Sequence, residues 1–173
     1  QSEGTTTSDK VLTVAMECGY APYNWTQSDD SNGAVPIKDS SEYANGYDVM
    51  MAKKLADSMG ADLEIHKIEW DGLAPAVVSG KIDAAIAGMS ITSKRKETVD
   101  FTKPYYYATV VALVKKDSEQ AKAQSVADLK GSVATSQLNT IWYDQIDQVP
   151  DVKKLPAIDT VPGMIVALTS GKC

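Results

Sequence analysis

The sequence is poor in the residues that metal and histidine chemistry require. It contains one histidine, His66, and two cysteines, Cys18 and Cys173, among 173 residues. Two cysteines cannot form a disulfide scaffold or a four-cysteine zinc site, and a single histidine has no second metal ligand of its kind. These shortages argue against metal-dependent and histidine-based chemistry.

Positive charge and long apolar runs are also scarce. The chain has 17 Lys and Arg against 23 Asp and Glu, a formal net charge of −6. Nucleic-acid binding needs clustered positive charge, so the composition argues against nucleic acid as the main partner. No apolar stretch approaches the roughly 20 residues of a membrane-spanning helix. The length suits one ordinary domain or two small lobes.

What the sequence does contain is an alternation of strand and helix patterns. Because this alternation occurs twice, it predicts an α/β fold with mostly parallel strands. Residues 17–46 are rich in Pro, Gly, Ser, Asp and Asn and are predicted to form a long irregular loop. Strands are predicted at residues 11–16, 63–68, 82–87, 105–114, 132–137 and 152–155, and helices at residues 47–59, 71–79, 140–149 and 160–170.

A short internal repeat supports the division of the chain into two similar halves. Residues 72–82 read GLAPAVVSGKI and residues 163–173 read GMIVALTSGKC, which agree at five of eleven positions. The agreement indicates either a structural repeat or two helices that use the same Ser-Gly-Lys exit. An apolar strand follows the first copy, whereas the second copy ends at Cys173. We therefore expect the chain to be incomplete in its second half.

Arg95 is the only arginine among the basic residues. It closes the segment AGMSITSKR, residues 87–95, which follows an apolar strand and opens a helical turn. Ligands of open α/β folds bind beyond the carboxyl ends of strands, and a guanidinium holds a carboxylate with two parallel hydrogen bonds. The segment therefore predicts a carboxylate clamp, with a helix cap followed by a solvated basic turn as the alternative.

The chain carries three further motifs in order: GYAPY at 19–23, NGYDV at 45–49 and WDGLAPAVVSGKIDAAIAGMSITSKRKETVDFTKPYY at 70–106. In this order they resemble the extracytoplasmic amino-acid-binding proteins of ABC importers, which have the type II periplasmic-binding-protein fold. The resemblance implies a two-lobed α/β protein whose lobes close on a ligand. Residues 1–10 are polar and rich in Ser and Thr, which predicts a flexible leader. The division that follows is lobe 1 at residues 11–107 and an incomplete lobe 2 at residues 108–173.

The resemblance also implies a mode of action. The protein would bind a small amino acid without turning it over, using no cofactor, no metal and no catalytic residue. Its partners would be the amino acid and an ABC permease in the membrane, with no nucleic acid, and the full-length protein would be a monomer. It would work outside the cytoplasm, either as a cell-surface lipoprotein or in the periplasm, after removal of a signal peptide.

The resemblance assigns ligand contacts to the first lobe. Arg95 would pair with the ligand α-carboxylate, while Gly88 and Ser90 would contact the carboxylate and the α-amino group. Glu17, Tyr20 and Trp70 match positions around the ligand side chain. The full set of candidate contacts in this lobe is Glu17, Tyr20, Trp70, Ala87, Gly88, Met89, Ser90 and Arg95.

The second lobe contains a segment at residues 137–140 that resembles the family's Gln-x-Gly-Thr turn, whose threonine joins the carboxylate clamp. Gln137 and Thr140 match the two ends of this turn, and Asn139 matches its glycine position. Asn139 stands where glycine is usual, and asparagine tolerates the left-handed backbone. Ser136 is the alternative to the threonine if the register is shifted.

The residues around the ligand side chain favour a cationic amino acid. Glu17 offers negative charge, and Tyr20 and Trp70 offer aromatic faces, so arginine or lysine is expected first and glutamine or another polar amino acid next. Core packing of Trp70 and a solvent-facing Glu17 are the alternatives. Two other functions remain open: a cyclohexadienyl dehydratase-like enzyme on the same fold, and a ligand-sensing module of a receptor.

Overall fold

The chain divides into two units after Tyr106 in this computed structural model, which describes residues 10–173. The second unit is Tyr107–Cys173. The leader expected at residues 1–10 lies outside the described residues except for Lys10. Within the described range, no helix combines the length and the apolar character needed to cross a membrane.

Apart from the strand predicted at residues 105–114, the strands and helices follow the order that the sequence pattern predicts, with several short strands in addition. The strands are β1 (Val11–Met16), β2 (Gly19–Tyr20), β3 (Asn24–Gln27), β4 (Val35–Pro36), β5 (Tyr43–Asn45), β6 (Asp62–Lys67), β7 (Ala84–Ala85), β8 (Val133–Ala134) and β9 (Lys153–Lys154). The helices are α1 (Tyr47–Met59), α2 (Leu73–Val78), α3 (Ile141–Gln145) and α4 (Val161–Thr169).

A parallel sheet of order β6-β1-β7 forms the centre of the first unit. β1 pairs with β6 along its whole length, from Val11 opposite Asp62 to Met16 opposite Lys67. The parallel strands predicted at residues 11–16 and 63–68 are thus confirmed. The third strand is shorter than predicted, because only Ala84–Ala85 pair with β1.

The helix predicted at residues 47–59 is confirmed as α1. It buries Val49, Ala52 and Ala56, which recur at the spacing of one helical face. The helix ends at Gly60, whose left-handed φ of 60° suits a residue without a side chain.

Residues 17–46 do not form the irregular loop predicted from their composition. They contain β2 to β5, which pair in an antiparallel sheet of order β2-β3-β5-β4. The strands are only two to four residues long, so the turn-forming Pro, Gly, Ser, Asp and Asn between them dominate the sequence pattern.

The second unit contains a small parallel sheet of β8 and β9 beside α3 and α4. The helix predicted at residues 160–170 is confirmed as α4. The helix predicted at residues 140–149 is divided into α3 and the 3-10 turn Ile146–Gln148.

The strand predicted at residues 105–114 is wrong for the described part of the chain. No residue in this range pairs with a neighbouring strand there, and Val110, Val111 and Leu113 are 55%, 79% and 66% exposed. An apolar run becomes a strand only where a neighbour supplies backbone hydrogen bonds, and none of the described residues does so.

The two Ser-Gly-Lys segments end α2 and α4 in the same way. In each segment, the serine N–H donates to the carbonyl of the residue four positions earlier. The glycine N–H donates to the carbonyl three positions earlier, and the lysine N–H donates to the carbonyl five positions earlier. Gly80 and Gly171 are both left-handed, with φ of 71° and 79°. The repeat in the sequence therefore corresponds to one helix-ending structure that both units use.

Candidate ligand-binding site

The candidate contacts of the first unit follow the carboxyl ends of three neighbouring strands. The chain reaches Glu17 directly after β1, Trp70 shortly after β6 and residues 87–90 shortly after β7. Because these strands are parallel neighbours, their carboxyl ends share one edge of the sheet. Residues far apart in the sequence are therefore brought to one edge of a well-packed unit.

Arg95 begins the 3-10 turn Arg95–Glu97, and its side chain lies against this edge. Its Nη1 donates to the Ser90 carbonyl at 2.7 Å, and its guanidinium carbon lies 5.4 Å from the centre of the Trp70 ring. The Thr92 hydroxyl accepts a hydrogen bond from the Arg95 backbone N–H at 3.1 Å, so the expected cap is present as well. Arg95 is half-buried rather than fully solvated.

Partial burial lowers the pKa of the Arg95 guanidinium, because the charged form loses water contacts. An arginine side chain nevertheless stays protonated in proteins near neutral pH. The site therefore holds a fixed positive charge whose planar donors are oriented by Ser90 and Trp70. That is the chemistry a carboxylate ligand needs.

Tyr20 and Gly88 meet on the same side of the unit. Gly88 has a left-handed φ of 62°, and a Cβ placed there would lie 3.4 Å from Tyr20 Cε1. A side chain at position 88 would touch the tyrosine ring at ordinary van der Waals distance, so it is the left-handed backbone that favours glycine here. The Gly88 N–H donates to Tyr105 Oη at 3.1 Å, so a ligand contact from Gly88 would use its carbonyl.

Two of the candidate residues direct their side chains into the core. Ala87 is 3% exposed and belongs to the buried cluster of the first unit, and Met89 packs against that cluster. Trp70 also packs against the cluster with part of its surface. For Trp70, core packing and contact with Arg95 therefore occur together.

The candidate residues of the second unit lie in the turn before α3. Gln137 is 7% exposed, and its Nε2 donates to the Asp159 carbonyl at 2.9 Å. Asn139 has the left-handed φ of 54° that the usual glycine would adopt easily. The Thr140 hydroxyl donates to the Gln137 carbonyl at 2.7 Å and accepts from the Tyr143 N–H at 3.4 Å, which caps α3.

Cys18 follows Glu17 but has no nucleophilic character. The residue is 3% exposed, and burial raises the pKa of its thiol to about 12. Because the thiolate is the reactive form, Cys18 is inert near neutral pH.

Sequence reasoning missed Asp48, a fully buried carboxylate of this unit. It accepts hydrogen bonds from Asn24 Nδ2 at 2.7 Å and from Tyr105 Oη at 2.8 Å. The signal that could have revealed it is an acidic residue on the apolar side of α1, where a charge needs a partner. Its partners come from positions 24 and 105, which only the fold brings together.

The mixed α/β architecture, with parallel sheets flanked by helices, defines the class as the type II periplasmic-binding-protein fold. The family model of "Bacterial extracellular solute-binding proteins, family 3" matches residues 12–155. Since this match covers most of the chain, the chain belongs to that family.

The chain is similar to the arginine-binding extracellular protein ArtP of Bacillus subtilis, with 31% identity over 144 residues, 83% of this chain and 50% of ArtP. It is also similar to the solved arginine-bound form of truncated ArgBP from T. maritima, with 29% identity, TM-score 0.76 and coverage of 94% of this chain and 70% of that one.

A further similar structure is the ancestral amino-acid-binding protein AncCDT-1, a precursor of cyclohexadienyl dehydratase. The identity is 31% and the TM-score 0.77, over 94% of this chain and 67% of that chain. The present chain spans about half the length of the curated relative ArtP.

Proposed function

We propose that this protein binds an amino acid outside the cytoplasm and delivers it to the membrane permease of an ABC importer. The single observation that carries the proposal is the placement of Arg95. It is anchored by the Ser90 carbonyl and the Trp70 ring at the carboxyl edge of a parallel sheet. A guanidinium fixed in this way is preorganised for a carboxylate, which every α-amino acid carries.

Arginine or lysine is the favoured ligand. Glu17 at the end of β1 would attract a cationic side chain, and the ring of Tyr20 would pack against it at roughly 0.5–2 kcal/mol. ArtP is an arginine-binding protein, and the similar T. maritima structure is an arginine-bound form, which supports the same ligand class. A polar amino acid such as glutamine is the next candidate.

The proposal draws on contacts within the first unit. Gln137, Asn139 and Thr140 remain candidates from the family resemblance, as does the division into a lobe of residues 11–107 and a lobe of residues 108–173. Location in the periplasm or on the cell surface, delivery to a permease and a monomeric state follow from the proposed role as a transport component.

Titration calorimetry of the full-length protein with arginine, lysine, glutamine and glutamate tests the proposal. We expect arginine or lysine to bind at least about tenfold more tightly than glutamate, because Glu17 would repel the side-chain carboxylate of glutamate. A preference for glutamate would contradict the cationic assignment. No binding of any amino acid would contradict the proposed function.

A second candidate is a dehydratase acting on a cyclic carboxylate. The observation that favours it is the likeness to AncCDT-1, which is a precursor of cyclohexadienyl dehydratase. Arg95 would hold the substrate carboxylate in that case as well. An assay with prephenate and arogenate separates the two functions, since a binding protein consumes neither compound.

A further inference from the structure

We propose that Asp48 is a positioning residue, which holds the two backbone segments on either side of the candidate site in register. This inference rests on the proposed function, because the site in question is the amino-acid site of the first unit. Asp48 itself is 0% exposed and would not touch the ligand. It would act through two neutral side chains, Asn24 and Tyr105.

The first arm of this network reaches the segment after β1. Asn24 Nδ2 donates to Asp48 Oδ2 at 2.7 Å, and Asn24 Oδ1 accepts from the Cys18 N–H at 2.8 Å. Asn24 is itself fully buried. Its amide therefore links the carboxylate to the residue that follows Glu17.

The second arm reaches the segment after β7. Tyr105 Oη donates to Asp48 Oδ1 at 2.8 Å and accepts from the Gly88 N–H at 3.1 Å. Gly88 lies two residues before Ser90, whose carbonyl holds Arg95. Both backbone segments of the candidate site are therefore one side chain away from the same carboxylate.

A carboxylate is the group that fixes the direction of every bond in this network. An ionised carboxylate only accepts, so both Asn24 and Tyr105 must donate to it. Tyr105 Oη then has its oxygen lone pairs for the Gly88 N–H, and Asn24 has its carbonyl oxygen for the Cys18 N–H. An asparagine at position 48 would present an NH₂ group to one of the two donors and break that arm.

Holding a buried carboxylate in this place has a cost that the network offsets. Within the described residues, Asp48 takes part in no ion pair, so its support comes from the two hydrogen bonds and from its position in the first turn of α1. The amino end of a helix favours negative charge. Burial raises the pKa of Asp48, while the hydrogen bonds from Asn24 and Tyr105 act in the opposite direction.

Thr13 provides a matched control in the same sheet. Its hydroxyl also bridges a carboxylate and a backbone N–H, since Thr13 Oγ1 donates to Asp83 Oδ2 at 2.6 Å and accepts from the Asp83 N–H at 2.9 Å. This bridge joins β1 to the start of β7, away from the carboxyl edge. Thr13→Val thus removes the same pattern of hydrogen bonds as Tyr105→Phe, but far along the strands from the site.

The test compares Tyr105→Phe, Asp48→Asn and Thr13→Val in the full-length protein, with arginine affinity, Tm and amide hydrogen exchange as readouts. Tyr105→Phe is expected to weaken arginine binding about tenfold and to speed exchange of the Gly88 amide. Asp48→Asn is expected to speed exchange at Cys18, Gly88 or both. Thr13→Val is expected to lower the Tm while its affinity stays within about twofold.

Wild-type affinity in both Tyr105→Phe and Asp48→Asn would overturn the positioning role. An equal loss of affinity in Thr13→Val would overturn it too, because the effect would then follow stability alone. Should Asp48→Asn fail to fold, Tyr105→Phe decides. If the wild-type protein binds no amino acid, the proposed function fails, and unchanged exchange at Cys18 and Gly88 would still contradict the inference separately.

Discussion

The two units of the chain differ sharply in how much apolar surface they bury. Fifteen buried hydrophobic residues form the core cluster of the first unit, whereas Ala167 alone is buried among the hydrophobic residues described in the second. The large hydrophobic side chains exposed in the second unit are Tyr107, Val110, Val111, Leu113, Val126, Val133, Trp142, Ile165 and Val166.

The difference shows what fixes the candidate residues in each unit. In the first, Trp70 and the segment carrying Gly88 pack on a close-packed core, so their positions are set by tertiary contacts. In the second, Thr140 is fixed by the Gln137 carbonyl and by its cap on α3, which are local hydrogen bonds. The free energy needed to open such local hydrogen bonds is lower than the free energy needed to open a packed core.

The strongest test of this difference in packing compares Gly46→Ala in the first unit with Gly131→Ala in the second. Gly46 has φ 126°, and a Cβ there would clash with the Tyr23 carbonyl oxygen. We expect Gly46→Ala to lower the free energy of unfolding by about 4 kcal/mol or more, through strain and a backbone clash.

Gly131 is also left-handed, at φ 73°, but nothing lies within 4 Å of the added Cβ. Gly131→Ala is expected to cost about 1 kcal/mol, from the backbone alone. Urea unfolding of both variants checks the pair. Equal losses would mean that the close packing around Gly46 does not restrict that position.

Ile65→Ala and Ile165→Ala make the same substitution in the two units. Ile65 is 0% exposed in β6, whereas Ile165 is 46% exposed on α4. We expect Ile65→Ala to lower the free energy of unfolding by about 3 kcal/mol and Ile165→Ala by less than about 1 kcal/mol. Denaturant unfolding measures both losses from the shift of the midpoint, provided that the free energy keeps the same dependence on denaturant concentration. A larger loss for Ile165→Ala would reverse the comparison.

Thr160→Ala tests the local bonds of the second unit. The Thr160 hydroxyl accepts from the Gly163 N–H at 3.1 Å and caps α4. Its loss is expected to cost about 1 kcal/mol, while Thr160→Ser, which keeps the hydroxyl, should stay close to wild type. The helical circular-dichroism signal, followed during unfolding, measures the effect. An unchanged unfolding midpoint for Thr160→Ala would show that the cap contributes nothing to stability.

The smallest expected effect concerns acid stability. Hydrogen bonds from Thr13 lower the pKa of Asp83 in the folded state, so Asp83 stabilises the protein above the ordinary aspartate pKa. That contribution is lost as the pH falls through the lowered pKa. Asp83→Asn should therefore reduce stability near neutral pH and flatten its decline below about pH 4. A decline as steep as in the wild type, measured by unfolding between about pH 6 and pH 2, would contradict this.

Long periodic patterns made much of the first unit predictable. β1, α1 and β6 lie where the apolar spacing placed them, within one residue at each end. The strands of residues 17–46 escaped prediction because each is too short to show a period of two. The exposed apolar segment at residues 107–114 misled the prediction, since strand formation depends on a neighbour that the sequence pattern does not reveal.

The candidate site was predictable where one residue was unusual in itself. Arg95 drew attention as the only arginine of the chain, and it lies at the carboxyl edge of the parallel sheet. The network of Asp48 was not predictable in the same way. Asn24, Asp48 and Tyr105 are separated by 24 and 57 residues along the chain, and their contacts exist only in the folded unit.

The most direct test of the central claim is titration calorimetry of L-arginine into the full-length wild type, Arg95→Ala and Lys96→Ala. Lys96 is an exposed cation in the same 3-10 turn, so it controls for general charge. Arg95→Ala should weaken binding more than about 100-fold through loss of the paired, charge-assisted bonds, while Lys96→Ala binds as the wild type does. Wild-type affinity in Arg95→Ala would contradict the carboxylate clamp.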